Sequence, residues 1–248
     1  MNRVGAKEGP AREVREQARD LRIAFLAVPV ALAILVTAGI TADITRRALP
    51  APLKGELWIE PFLAHSGMIL FSLLAALAIG RGQLGRFGLR RCPPQAIFRG
   101  AAVGFGIGAL AEGAEALLRL PMPAFLQSYS IAQQVLLIWL WASLAEEFLV
   151  RGLLQGMMAA WADRSIRPLC LSLAWPVVVG AVFFAAMHLP LLTLGTPLNS
   201  VLAIVAFAFV VGMAAGQFRH VTGSLWAAVA VHAAANMPGT LFQLMSRH

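Results

Sequence analysis

Apolar residues come in blocks along this chain. Seven stretches, at about 22–41, 61–80, 97–117, 130–160, 168–190, 198–217 and 223–243, are dominated by Ala, Leu, Ile, Val, Phe and Gly. Short polar or Pro/Gly-containing links separate them. A helix needs roughly 20 apolar residues to cross the hydrocarbon core of a bilayer, and the blocks are of that order. The pattern predicts an all-α, polytopic transmembrane helical bundle of about seven membrane segments (six to eight). The fourth block is too long for one plain crossing. It is either one long tilted helix or a short interfacial piece followed by the crossing.

Composition agrees with this reading. Of the 248 residues, 59% are hydrophobic and 13% charged, about half the charged fraction of an ordinary soluble domain, ~25%. The mean hydropathy is +0.74. The net charge of +8 raises the question of nucleic acid. The basic residues, however, sit between apolar blocks, and no basic stripe is interleaved with stacking aromatics, so no nucleic-acid partner is expected. Cys92 and Cys170 are the only cysteines. One lies in a basic link and the other in an apolar block, which predicts neither a structural disulfide nor a cysteine zinc site.

Charge asymmetry sets the expected orientation. Residues 1–20 are polar, with Arg3, Lys7, Arg12, Arg15 and Arg19 against Glu8, Glu13, Glu16 and Asp20, and read as a cytoplasmic tail, in part a surface helix. The apolar block that follows exceeds a signal-peptide core, and no clear cleavage site follows it, which favours an uncleaved anchor. Residues 21–248 then form a single membrane domain. The link 81–99 carries Arg81, Arg86, Arg90, Arg91 and Arg99, and a later one carries Arg164 and Arg167. The alternating links carry less charge, apart from the first, with Arg46, Arg47 and Lys54. The positive-inside rule places the N-terminus in the cytoplasm and the C-terminus outside. The expected location is the plasma membrane, the inner one of a bacterium. Gly100, Gly104 and Gly108, and Gly212 and Gly216, recur every four residues. That spacing lets helix backbones approach closely in lipid, although membrane helices are also simply rich in glycine.

An ionisable group inside a membrane is a functional hypothesis by default. Glu146, Glu147 and Arg151 fall in the fourth block. Successive helical residues point about 100° apart, so the two glutamates face differently. The i,i+4 spacing pairs Glu147 with Arg151, leaving Glu146 to face elsewhere in the bundle. The alternative is one neutralising cluster at a helix end. Phe184 and His188 share a helix face in the fifth block, and His232 and Asn236 share one in the seventh. A lone histidine on an apolar face is usually a hydrogen-bonded core residue. Two histidines, an asparagine and a free glutamate on three membrane segments can satisfy one another and do chemistry. A glutamate with a histidine can activate water as a general base, and an amide with a second histidine can donate to an oxyanion. The set suits amide hydrolysis by water. A His₂Glu zinc set of Glu146, His188 and His232 is the rival chemistry, which spacing cannot separate from the first, although the two-histidine helical zinc motif is absent.

At these residues the chain resembles the CPBP family of intramembrane proteases, the CAAX protease and bacteriocin-processing or ABI family, which includes type II CAAX prenyl endopeptidases. The family pattern EExxxR, FxxxH, HxxxN is present in order as Glu146-Glu147 with Arg151, Phe184 with His188, and His232 with Asn236. Arg151-Gly152-Leu153-Leu154 and Gly223-Ser224-Leu225-Trp226 also resemble family sequence. The likeness covers about residues 130–240. It implies a glutamic-type intramembrane endopeptidase in which Glu146 and His188 activate water. His232 and Asn236 would stabilise the oxyanion, Glu147 and Arg151 would organise the site, and Phe184 would pack beside the histidine. No cofactor is favoured, with zinc the alternative. The implied partner is a membrane-anchored protein or peptide, cut near its C-terminus. The expected topology puts the site in the outer half of the membrane.

Weaker candidates remain. Glu112 and Glu115 lie late in the third block. Glu115 and Arg119 at i,i+4 read as a solvated helix end, with substrate admission as the second reading. His65, Gln133 and Gln134 read as interhelical hydrogen-bond partners, and His220 and His248 as solvated. A non-catalytic scaffold or immunity protein of the same fold is the rival function, and a small proton-coupled transporter is third, without repeats to support it.

Overall fold

Helix α1 (Gly9–Phe25) is followed, after a one-residue break at Leu26, by α2 (Ala27–Ala48). Then come α3 (Ile59–Gly80) and α4 (Pro94–Leu118). A continuous helical run over 131–157, here α5, combines α-helical turns with wide π-type turns at Gln134–Ala142 and Phe148–Leu154. It is followed by α6 (Trp175–Ala186), α7 (Leu198–Thr222), α8 (Leu225–Ala235) and α9 (Met237–Ser246). This computed structural model describes residues 9–121, 123–166 and 172–246. Cys170, Arg167 and His248 lie outside the described residues.

The all-α polytopic bundle expected from the apolar blocks is what the structure shows, and the chain is an integral membrane protein. Among the described residues, five helical spans are long and apolar enough to cross a bilayer: Ala27–Ala48, Ile59–Gly80, Pro94–Leu118, Trp175–Leu194 and Leu198–Thr222. The fourth and seventh blocks are built differently. The fourth is α5, a single helical run that carries the glutamates. The seventh is split into α8 and α9 at Asn236. Pro238 has no N–H for a helical bond back to Ala234, so the helix breaks there. The fifth block starts at Trp175 rather than near 168. Its lead-in, Leu173–Ala174, pairs antiparallel with Ser165–Ile166 as a two-residue ladder.

The first helix is docked rather than free. An Arg19 guanidinium donates to the Ile79 carbonyl at 2.9 Å, Asp20 pairs with Arg86 at 3.0 Å, and Phe25 meets Trp161 edge-on. At this same end, the start of α8 is laced to the 81–93 link. The Leu225 N–H donates to the Gly88 carbonyl, and the Ser224 hydroxyl donates to that of Arg90 while accepting from the Trp226 N–H. Gly223 ends α7 with φ +66, and a Cβ there would run into the Arg90 guanidinium. The Gly-Ser-Leu-Trp stretch is thus the fixed origin from which α8 runs into the membrane.

The glycine stripe on α4 explains how closely α8 lies. A Cβ on Gly100 would stand 2.9 Å from the Ala227 carbonyl oxygen. Cβ atoms on Gly104 and Gly108 would overlap the carbonyls of Val231 and Ala235. The three glycines therefore fit three successive turns of α8, the turns that carry His232 and Asn236. By contrast, Gly106 faces open space. Adding side-chain volume at a tight contact costs about 1–3 kcal/mol or more. Gly104→Val is therefore expected to lower the detergent melting temperature and abolish function, while Gly106→Val leaves both near wild type. Equal melting temperatures for the two variants would refute the role of the stripe.

Candidate active site

The two glutamates sit on a five-residue α-helical stretch, Ser143–Glu147, between the π-type parts of α5. Wide turns of this kind often occur at functional sites. Here they leave the Ile138 carbonyl within reach of side chains. It accepts from the Ser143 hydroxyl at 3.2 Å and from the Asn236 amide at 3.3 Å.

Glu147 points into the protein. Both it and Arg151 are completely buried, and an Arg151 N–H donates to Glu147 Oε1 at 2.8 Å. A second guanidinium nitrogen donates to the Gly212 carbonyl at 2.9 Å, and the guanidinium carbon lies 4.6 Å from the centre of the Phe184 ring. One turn further, Gln155 donates to the Gly216 carbonyl at 3.1 Å. The paired glycines of α7 thus admit two side chains of α5 to their carbonyls, and a Cβ at either would press on α6. Glu147 Oε1 also accepts from His232 Nδ1–H at 3.0 Å. This fixes the ring of His232 and leaves its Nε2 facing the remaining glutamate.

Glu146 points the other way, into a cavity of about 380 Å³ that is also lined by His188, His232, Asn236 and Phe184. Its Oε2 lies 3.6 Å from His232 Nε2 and its Oε1 lies 3.5 Å from His65 Nε2. His188 stands at the end of α6, where its Nδ1–H donates to the Phe184 carbonyl at 3.0 Å. In the neutral imidazole, that bond leaves Nε2 as an acceptor. The Phe184 ring lies edge-on to both His188 and His232, with centroids 5.2 and 5.1 Å apart. Asn236 donates to the Ser143 hydroxyl at 3.1 Å as well as to Ile138. Ser143 is fully buried and bonded on both sides, which suits a strut and not a nucleophile.

The structure therefore brings Glu146, His188, His232, Asn236 and Phe184 around one cavity, with Glu147 and Arg151 immediately behind them. It also adds residues that motif spacing did not assign to the site. His65 reaches Glu146 from α3. Glu112 and Glu115 line the cavity, and the expected Glu115–Arg119 pair does not form among the described residues. Arg119 adopts φ +53 and ends α4, so the helical i,i+4 geometry stops before it. Gln134 and Gln133 divide their roles. Gln134 is an interhelical link, accepting from Thr240 at 2.8 Å and donating to Gln243 at 2.7 Å. Gln133 instead completes a capping box with Ser130 at the start of α5. His220 is exposed.

A zinc ion on Glu146, His188 and His232 would need three donor atoms converging at about 2 Å from one point. Among the described residues no group of three His, Cys, Asp or Glu side chains is gathered for an ion. No step below runs through a metal.

A family model described as Rce1-like, type II CAAX prenyl endopeptidase, matches residues 128–238. That span holds every glutamate, histidine and asparagine of the three sequence motifs, and leaves out His65, Glu112 and Glu115. No curated protein and no solved structure matches the chain.

The buried pair makes a stability prediction. Removing one partner of a buried ion pair leaves an uncompensated charge and costs about 3–5 kcal/mol, whereas replacing both partners by apolar groups costs much less. Arg151→Met should therefore lower the melting temperature sharply, and adding Glu147→Leu should recover much of the loss. A double variant that melts below Arg151→Met would contradict this.

Proposed function

We propose, from the match of residues 128–238 to the Rce1-like type II CAAX prenyl endopeptidase model, that the chain is an intramembrane endopeptidase that uses Glu146 and His188 to activate water. The observation that carries this reading is the division of the glutamate pair. Glu147 is fully buried against Arg151 and His232, while Glu146 faces the cavity with His188 and Asn236.

In this reading a water sits between the Glu146 carboxylate and His188 Nε2. Its oxygen attacks the peptide carbonyl carbon while its proton passes to Glu146. The carbonyl oxygen becomes an oxyanion. In this step His232 carries a proton on each ring nitrogen. His232 then donates Nδ1–H to Glu147 and offers Nε2–H to the oxyanion. Asn236 supplies the second donor by exchanging its longer bond, that to Ile138, for the oxyanion. When the intermediate collapses, the C–N bond breaks and Glu146 returns its proton to the leaving amine.

The substrate of this reading is a membrane-anchored protein or peptide, cut near its C-terminus. The cavity is lined by the first turns of α3 and α5, the last turns of α4, and residues of α8 and α9. These all lie toward the end of the bundle opposite α1 and the basic 81–93 link. With the N-terminus in the cytoplasm of a plasma membrane, the site opens in the outer half of the bilayer. A scaffold of the same fold would have no need of a glutamate kept apart from its buried neighbour.

Two measurements test this reading. With purified protein and a cleavable membrane peptide, Glu146→Gln should lower kcat by about 10²–10⁴-fold with an unchanged melting temperature, and wild-type cleavage should survive a chelator. Full activity of Glu146→Gln would end the proposal. In intact cells, and with Cys170→Ser, a membrane-impermeant thiol reagent should label Lys54→Cys but not Cys92. The reverse pattern would place the site on the cytoplasmic side.

A further inference from the structure

The first half of the chain, outside the motif-bearing region, contributes one imidazole to the centre of the cavity. His65, on the second turn of α3, places Nε2 3.5 Å from Glu146 Oε1. The other oxygen of the same carboxylate faces His232 Nε2 at 3.6 Å. The carboxylate is thus flanked by imidazoles from two helices, α3 and α8, neither of which carries Glu146 itself. Both His65 and Glu146 are mostly buried but remain open to the cavity, with side-chain exposures of 20% and 14%.

An independent set of contacts fixes His65 there. Trp141, five residues before Glu146, stacks on Phe62 with ring centroids 5.5 Å apart and donates its indole N–H to the Ser66 hydroxyl at 3.2 Å. Phe62 and Ser66 bracket His65 on α3. The contact sets the register of α3 against α5 and with it the approach of His65 to Glu146. A free glutamate side chain has three rotatable bonds, and ordering it costs up to about 2 kcal/mol of entropy. A general base that must meet water and a carbonyl together gains from having that ordering built in.

We propose that His65 is a positioning residue for Glu146: its Nε2–H donates to Oε1 and turns the carboxylate so that Oε2 meets the water. This rests on the reading of Glu146 as the base. The contact is long for a hydrogen bond, as donor–acceptor contacts often are before substrate binds, and it shortens in the substrate complex. Nothing in this role involves touching the substrate, so its loss falls on kcat and not on KM.

The test is a kinetic series on the full-length purified protein in vesicles: wild type, Glu146→Gln, His65→Phe, His65→Gln and His65→Asn, each with a melting temperature. A misplaced base costs about 10- to 100-fold. His65→Phe should lower kcat by that factor with KM within twofold. His65→Gln places an amide N–H near the position of Nε2 and should recover most of kcat. His65→Asn, whose amide is one bond too short, should not. Wild-type kcat in His65→Phe, a change confined to KM, or equal impairment of the Gln and Asn variants would each overturn the proposal. If His65→Phe fails to fold, the comparison of Gln with Asn decides alone. An active Glu146→Gln would instead overturn the underlying reading, so the two failures are distinguishable.

Discussion

A guanidinium with no exposure at all, in the middle of a membrane bundle, is the constraint around which this protein is arranged. Arg151 cannot remain charged there unless its hydrogens are used. One goes to Glu147, one to the Gly212 carbonyl, and the flat face lies on Phe184. These partners come from α5, α7 and α6, so satisfying a single side chain fixes three helices relative to one another. Glu147 extends the arrangement to α8 through His232 Nδ1. The pair is not fully satisfied: Arg151 Nε and Glu147 Oε2 are buried with no partner among the described residues. Such a group is weak as a source of stability. Its value is geometric, since it orients His232 and leaves Glu146 as the carboxylate with room to react.

The close approach of α4 and α8 has a different physical basis. Without a hydrophobic driving force between helices in lipid, they meet where small residues let backbones touch. Gly100, Gly104 and Gly108 do this along the three turns of α8 leading to Asn236. The origin of α8 is fixed at the basic end of the bundle by Gly223 and Ser224, laced to Gly88 and Arg90. The functional side chains of α8 are thus located from both ends, by a polar lace at the basic end and a glycine seam within. Asn236 caps α8 at the break, and its side-chain amide bonds across to α5.

Much of the fold was legible because it rests on one-dimensional rules. Apolar block length gave the polytopic bundle, and the i,i+4 spacing placed Glu147 beside Arg151 and away from Glu146. Where the blocks were misjudged, the reason is local. Pro238 divides the seventh, and the short ladder before Trp175 delays the fifth. The excess length of the fourth block is taken up by one helical run with wide turns. The Glu115–Arg119 pair fails because one left-handed residue at Arg119 ends the helical geometry that the spacing assumed.

The sequence by itself determined that the chain lives in a membrane, that its motif residues come on three apolar segments, and that the two glutamates must point apart. Those conclusions follow from helical periodicity and from the cost of charge in hydrocarbon, both local. Only the tertiary structure decided which groups meet across helices. It put His65 against Glu146, Glu112 and Glu115 into the same cavity, and the Asn236 amide onto Ser143 and Ile138. Each of these pairs residues far apart in the chain. Such encounters depend on helix register and on the close packing that the glycines permit, which no spacing within a single segment encodes.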